Sequence, residues 1–291
     1  MKPAAFEYVR PRSLDEALAV LAERGDTAKV LAGGQSLVPL MNLRLSRPGV
    51  IVDLNPLTDL AYIRAEDGGL AIGALTRQRA IEKSALVRDR APLLAEATPL
   101  IGHMPIRSRG TIGGSLAHAD PAAEYPAVAV ALDATFTIAR AGGERKVAAG
   151  DFFRMYLTTD LAGNEILTRI DLPALPPRSG VAFLELTRRH GDFAIAGAAV
   201  VVTLDAAGAI SGARIAMCGV GPTPIRARRA EGVLAGHRPA RSVLEEAARV
   251  AATESDPPDD LHGSAEYRRE MSGVFTRRAL VCALETLGVK V

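Results

Sequence analysis

Tryptophan is absent from this chain of 291 residues, and aromatic side chains make up only 4% of it. That scarcity argues against a protein that stacks bases or sugar rings on aromatic platforms. Only two cysteines occur, Cys218 and Cys282, far apart and in no Cys-x-x-Cys pattern. The chain therefore encodes neither a disulfide framework nor an iron–sulfur or zinc site of its own, and both thiols read as small buried hydrophobes. Charge of one sign is also missing: 35 basic against 33 acidic residues leave +2. With no dense Lys/Arg block, nucleic acid is not an expected partner. The longest apolar stretch, around Ala194 to Leu204, is too short to cross a bilayer, and the opening MKPAAFEYVRP lacks the apolar core of a secretion signal. A cytoplasmic protein without a transmembrane segment is the expectation.

What the chain does have is 48% hydrophobic residues, enough to bury a sizeable core. Ser13 and Glu16 form a capping box ahead of Leu14, Leu18 and Leu21, and Gly25 can stop that helix. Apolar runs at Lys29–Leu31 and Val50–Val52 then read as strands, so the first stretch suggests a small α/β unit. From residue 56 onward, Leu70–Gly73, Phe136–Arg140 and Ile166–Leu172 read as strands. Thr76–Val87, Pro92–Ile101 and Pro126–Leu132 read as helices. Three prolines between Leu172 and Gly180 rule out a helix or central strand there and predict a domain boundary. Beyond it, strands near Ala182–Leu186, Gly197–Leu204 and Ala213–Met217 precede helices near Ile225–Leu234, Ser242–Ala252 and Ser264–Leu287, an α+β pattern.

Two glycine pairs carry the chemistry. Leu31-Ala32-Gly33-Gly34-Gln35-Ser36-Leu37 follows a buried strand, so its backbone N–H groups sit at the end of a rigid element with no side chain in the way of a phosphate. Thr111-Ile112-Gly113-Gly114-Ser115 is a second glycine loop, flanked by hydroxyls. Either pair alone is more often a plain turn. Together, Ala-Gly-Gly-Gln-Ser followed by Thr-Ile-Gly-Gly-Ser closely resemble the paired FAD loops of the carbon monoxide dehydrogenase and xanthine dehydrogenase flavoprotein family. The resemblance runs on through Ala119–Glu124, Arg188–Ala194 and Gly219–Pro224.

It implies an α+β flavoprotein with the PCMH-type FAD-binding fold: two α/β subdomains, residues 1–55 and 56–177, followed by a C-terminal domain of antiparallel sheet and helices, residues 178–291. It also implies that Leu31 to Leu37 and Thr111 to Ser115 hold the FAD pyrophosphate and adjacent ribose. Glu124 stands where the family has an acidic ligand, commonly Asp. Ile101 and Leu167 match apolar positions that contact the cofactor, and are also ordinary core positions. Phe193 replaces a family Tyr and could still cover an isoalloxazine face. Glu185 replaces a family Lys, and reads either as a reversed charge beside the flavin or as a solvated strand residue. The implied partners are an iron–sulfur small subunit carrying 2Fe-2S clusters and a molybdopterin large subunit, in a dimer of heterotrimers. This chain would then pass electrons from the clusters to an external acceptor without a catalytic acid or base of its own.

Other signals carry less. Gly219-Val220-Gly221 starts like a dinucleotide fingerprint, but Pro222 and Pro224 interrupt it. His118 and Asp120, expected on a loop, lack further metal ligands, and no nucleophile elbow is present. Arg188 and Arg189 face either a partner or solvent. On the residues alone, a stand-alone FAD-dependent oxidoreductase and a non-enzymatic nucleotide-binding regulatory module stay open.

Overall fold

Ser13 starts the first helix, α1 (Leu14–Arg24), because its hydroxyl accepts the Glu16 amide at 3.1 Å. The reciprocal bond of the capping box lands one residue early: Glu16 accepts from the Arg12 amide at 2.7 Å. Gly25, at φ +52°, ends the helix, and Ala17, Leu18 and Leu21 form its buried face. In the computed structural model, which describes all 291 residues, this face covers a sheet of three parallel strands. These are β1 (Glu7–Val9), β2 (Ala28–Leu31) and β3 (Val50–Asp53), with β3 in the centre. The short helix α2 (Leu37–Asn42) lies in the crossover from β2 to β3. β1 escaped the sequence reading because it spans three residues and none of them is buried.

A second sheet, antiparallel throughout, has the order β4-β5-β10-β6-β7. Its members are β4 (Ile63–Glu66), β5 (Gly69–Gly73), β6 (Thr135–Arg140), β7 (Gly143–Ala148) and, after the small hairpin β8 (Phe153–Met155) and β9 (Thr158–Thr159), β10 (Ile166–Leu172). Between β5 and β6 run α3 (Gln78–Lys83), α4 (Ala85–Arg90), α5 (Pro92–Ala97), α6 (Met104–Arg109), α7 (Ile112–His118) and α8 (Glu124–Ala131), while α9 (Ala149–Phe152) follows β7. The single helix expected over Thr76–Val87 is two. Thr76 is held in the preceding turn by bonds with the Tyr62 backbone, and the Ser84 hydroxyl caps α4 by accepting the Val87 amide at 3.2 Å. The expected helix to Ile101 stops at Ala97 and tightens into a 3-10 turn, because Pro99 has no N–H to continue the ladder.

The third sheet comprises β11 (Ser179–Leu186), β12 (Ala196–Leu204), β13 (Ile210–Cys218) and β14 (Ile225–Arg226), all antiparallel. Ile225 and Arg226, expected to open a helix, instead pair with Met217 and Ala216. The helix α10 (Arg228–Leu234) starts only after them. One face of this sheet packs on α10, α11 (Arg241–Glu254) and α12 (Ala265–Glu285). The other, with Val181, Phe183, Ala199, Val201 and Ala216, merges into the core of the second sheet and its helices. No helix is long and apolar enough to cross a membrane.

The contact between β11 and α12 is set by a missing side chain. A Cβ on Gly180 would lie 1.9 Å from the Ala283 carbonyl, whereas one on Gly212, in β13, would meet nothing within 4 Å. We expect Gly180→Ala to cost about 1–3 kcal/mol through overpacking and Gly212→Ala to stay within about 0.5 kcal/mol of the wild type. Urea unfolding of both variants checks the pair, and equal stabilities would contradict it.

Candidate functional site

Parallel strands end on one side of their sheet, and α/β sheets typically receive ligands outside those carboxyl ends. Here the residues after β2 and β3 border a cavity of about 360 Å³, lined by Leu31 to Gln35, Asn55 and Arg109 among others. The amides of Gly33, Gly34, Gln35 and Ser36 donate to no acceptor in the chain. Gly34 adopts φ +75°, which turns the backbone without a Cβ penalty. Gln35 folds back, its side-chain amide donating to the Gly33 carbonyl at 3.1 Å. A run of N–H groups without partners on a polar concave rim suits an anion with several oxygens.

The second glycine motif is arranged differently. It is the first turn of α7 rather than a loop, with Thr111 as the N-cap and its hydroxyl accepting the Gly114 amide at 3.0 Å. The Ile112 amide donates to Thr76 at 3.1 Å, Gly113 to Ala74 at 2.9 Å and Ser115 to Thr111 at 3.1 Å. These amides are committed to the protein itself. The glycines are instead required by close packing: a Cβ on Gly113 would lie 2.5 Å from that of Ala74. The two motifs also meet each other. A Cβ on Gly33 would lie 2.5 Å from the Arg109 carbonyl, and one on Gly114 3.6 Å from the Ala32 Cβ.

Three residues passed over in the sequence join them. Asn55 donates to the Ala32 carbonyl at 2.9 Å, and Arg77 donates to the Asn55 side-chain oxygen at 2.5 Å and to the Arg109 carbonyl. The only sequence signal for Asn55 is its place just beyond a buried strand, the same signal that marks Gly33.

The other sequence candidates lie away from the cavity lining. Ile101 and Leu167 are buried in the largest core cluster, and the buried Arg107 guanidinium holds the Ile101 and Gly102 carbonyls at 3.1 Å. Phe193 is 60% exposed on the connection from β11 to β12, which approaches α6 where Gly191 abuts His103. His118 is the last residue of α7 rather than a loop residue, and burial lowers its pKa.

Glu124 opens α8 with 4% of its surface exposed, and burial, reinforced by Asp120, pushes its carboxyl up to about 7. Glu185 is not the solvated strand residue of the simpler reading. One of its oxygens is buried without a partner, and cross-strand pairing sets it in a row with Gly197 and Cys218. Burial first, and the Glu124 charge second, push it up to about 8.

Residues 4–175 match the family model described as the FAD binding domain in molybdopterin dehydrogenase, and residues 181–283 match that of the CO dehydrogenase flavoprotein C-terminal domain. The chain is 46% identical to the 6-hydroxypseudooxynicotine dehydrogenase complex subunit alpha of Paenarthrobacter nicotinovorans, across 98% of this chain and 96% of that one. It is 40% identical to the caffeine dehydrogenase subunit beta of a Pseudomonas species, across 99% and 97%. A chain of carbon monoxide dehydrogenase from Hydrogenophaga pseudoflava, solved without the Mo-pyranopterin moiety of its cofactor, superposes with a TM-score of 0.96 at 41% identity, covering 98% of this chain and 99% of that one.

Above the ordinary carboxylate range, the folded chain retains protons on Glu124 and Glu185 that the unfolded chain has released. Stability from these two sites therefore falls as pH rises through about 7 and about 8. Glu185→Gln removes one of the two ionisations. The variant should melt close to the wild type at pH 6 and roughly 2–4 °C above it at pH 9. A melting offset independent of pH would show that Glu185 does not titrate in this window.

Proposed function

Because the chain belongs to the family of FAD-binding subunits of the molybdopterin dehydrogenases, we propose that it passes electrons from iron–sulfur clusters on a partner chain to an external acceptor. The observation that carries the cofactor assignment is the row of four partnerless amides, Gly33 to Ser36, at the carboxyl end of β2. Bound there, FAD supplies the redox chemistry, taking up electrons singly or in pairs.

In this reading Leu31 to Leu37 receive the pyrophosphate. The turn from Thr111 to Ser115 supports them from behind, with the Ser115 hydroxyl as its direct contribution. Glu124, Ile101, Leu167 and Phe193 extend the site toward the third sheet, along the division of the chain into residues 1–55, 56–177 and 178–291. Glu185, neutral below about pH 8, places no fixed negative charge near the reduced flavin at neutral pH. The exposed Phe193 ring is suited to cover a flavin face, without a phenol to hydrogen-bond there. No residue here is assigned as acid or base for substrate.

The substrate chemistry belongs on another chain. Two cysteines cannot supply the four thiolates of even one cluster, so the 2Fe-2S centres and the molybdopterin lie on small and large partner subunits. We assign the assembly as a cytoplasmic dimer of heterotrimers.

Cofactor released from the purified protein should chromatograph as FAD. Gly33→Ala should reduce FAD occupancy several-fold, because its Cβ displaces the first loop from Arg109. Affinity capture from the native host should recover iron and molybdenum with this chain. Recovery of FMN, or of a competent flavoenzyme consisting of this chain alone, would refute the reading.

A further inference from the structure

Arg77 has no carboxylate partner. Its half-buried guanidinium donates to two neutral acceptors, the Asn55 side-chain oxygen at 2.5 Å and the Arg109 carbonyl. The acid that acts on it from farther off, Asp53, is occupied by the Asn55 amide at 3.0 Å, the Tyr8 hydroxyl and, at 3.8 Å, Arg10. Burial and the neighbouring Arg109 charge both lower the pKa of Arg77. Arg109 itself enters no ion pair and is exposed beside the cavity. Two guanidinium groups thus stand close together, one of them partly desolvated, without an acidic side chain bound directly to either. Such an arrangement is unfavourable unless an anion offsets it.

Position adds to charge. Through Asn55, Arg77 reaches the Ala32 carbonyl, and directly it reaches the Arg109 carbonyl, the atom against which Gly33 packs. One side chain therefore connects both walls of the cavity that the four free amides face.

We propose that Arg77 is the charge clamp of the cofactor site, fixing the spacing of the two glycine motifs and, together with Arg109, supplying the positive charge that a diphosphate requires. The inference rests on the FAD reading above and adds to it a pair of binding residues that the glycine motifs do not include. The ligand chemistry is that of a nucleoside diphosphate, so ADP suffices as a probe of the cofactor's phosphate half. Guanidinium groups suit this task, since each presents a planar fork of donors to phosphate oxygens.

The test titrates flavin-depleted full-length chain with FAD and with ADP over a range of salt concentrations. The wild type should bind both, more weakly as salt rises. Arg77→Gln and Arg109→Gln should each weaken both ligands by about tenfold or more and flatten the salt dependence. Arg77→Lys, which keeps the charge and loses the fork, should recover part of the affinity. Because the Arg109 side chain is exposed, Arg109→Gln keeps its fold and decides the matter even if Arg77→Gln does not fold. Wild-type-like binding by both variants would overturn the proposal. So would weaker binding with an unchanged salt dependence, which marks a scaffold alone. Failure of the wild type to bind FAD at all would remove the cofactor reading and this inference with it, whereas wild-type binding with unaffected variants removes this inference only.

Discussion

The rim of the cavity depends on a backbone-to-backbone contact. Gly33 lies so close to the Arg109 carbonyl and the Gly110 Cα that a single added carbon would stand 2.5 and 2.7 Å from them. Only glycine permits that approach, at a cost in unfolded-chain entropy that no other residue there would reduce without strain. The contact brings the parallel sheet and the helical part of the second unit to one edge. It also sets where Asn55 and Arg77 can bridge them, and directs the free amides of the first motif toward one concavity.

The two glycine motifs look alike in sequence yet do different physical work. After Leu31 the chain leaves β2 where no neighbouring strand continues, so the next amides find no carbonyl. After Gly110 it runs along the end of β5, where Ala74 and Thr76 carbonyls are within reach, and a threonine cap takes the amide that would otherwise be free. The first motif is thereby open to a ligand, and the second is a brace. Its glycines serve packing against Ala74 rather than ligand access.

Polar groups also shape the joint with the third sheet. Arg268, 5% exposed, donates to the Ile195 carbonyl at 2.7 Å and the Gly219 carbonyl at 3.0 Å, and pairs with Asp260. Glu96 of α5 accepts the Phe183 amide at 3.1 Å. Glu124 and Glu185 have no such cationic partner, and the chain accommodates them by holding their protons. A lysine at position 185, as in the family pattern, would bring a positive charge to a place where this chain keeps a neutral acid near neutral pH.

The elements read correctly from sequence are those with local causes. The capping box of α1, the apolar runs of β2, β3 and β10, and the prolines after Leu172 depend on neighbours within a few residues, so the order of strands and helices was legible. The glycine motifs were legible as candidates for the same reason. The break at Ser84, the pairing of Ile225 and Arg226 as β14, and the helical turn at Thr111 were not, because each is decided by a donor, acceptor or strand distant in the chain. The burial of Glu185 escaped for a related reason: alternation along β11 says which residues share a face, but not what that face meets. By itself the sequence determined the flavoprotein family and where its backbone could admit a phosphate. Only the tertiary structure decided which amides remain free and which cations stand beside them, since hydrogen-bond satisfaction and charge balance are properties of atoms brought together by folding.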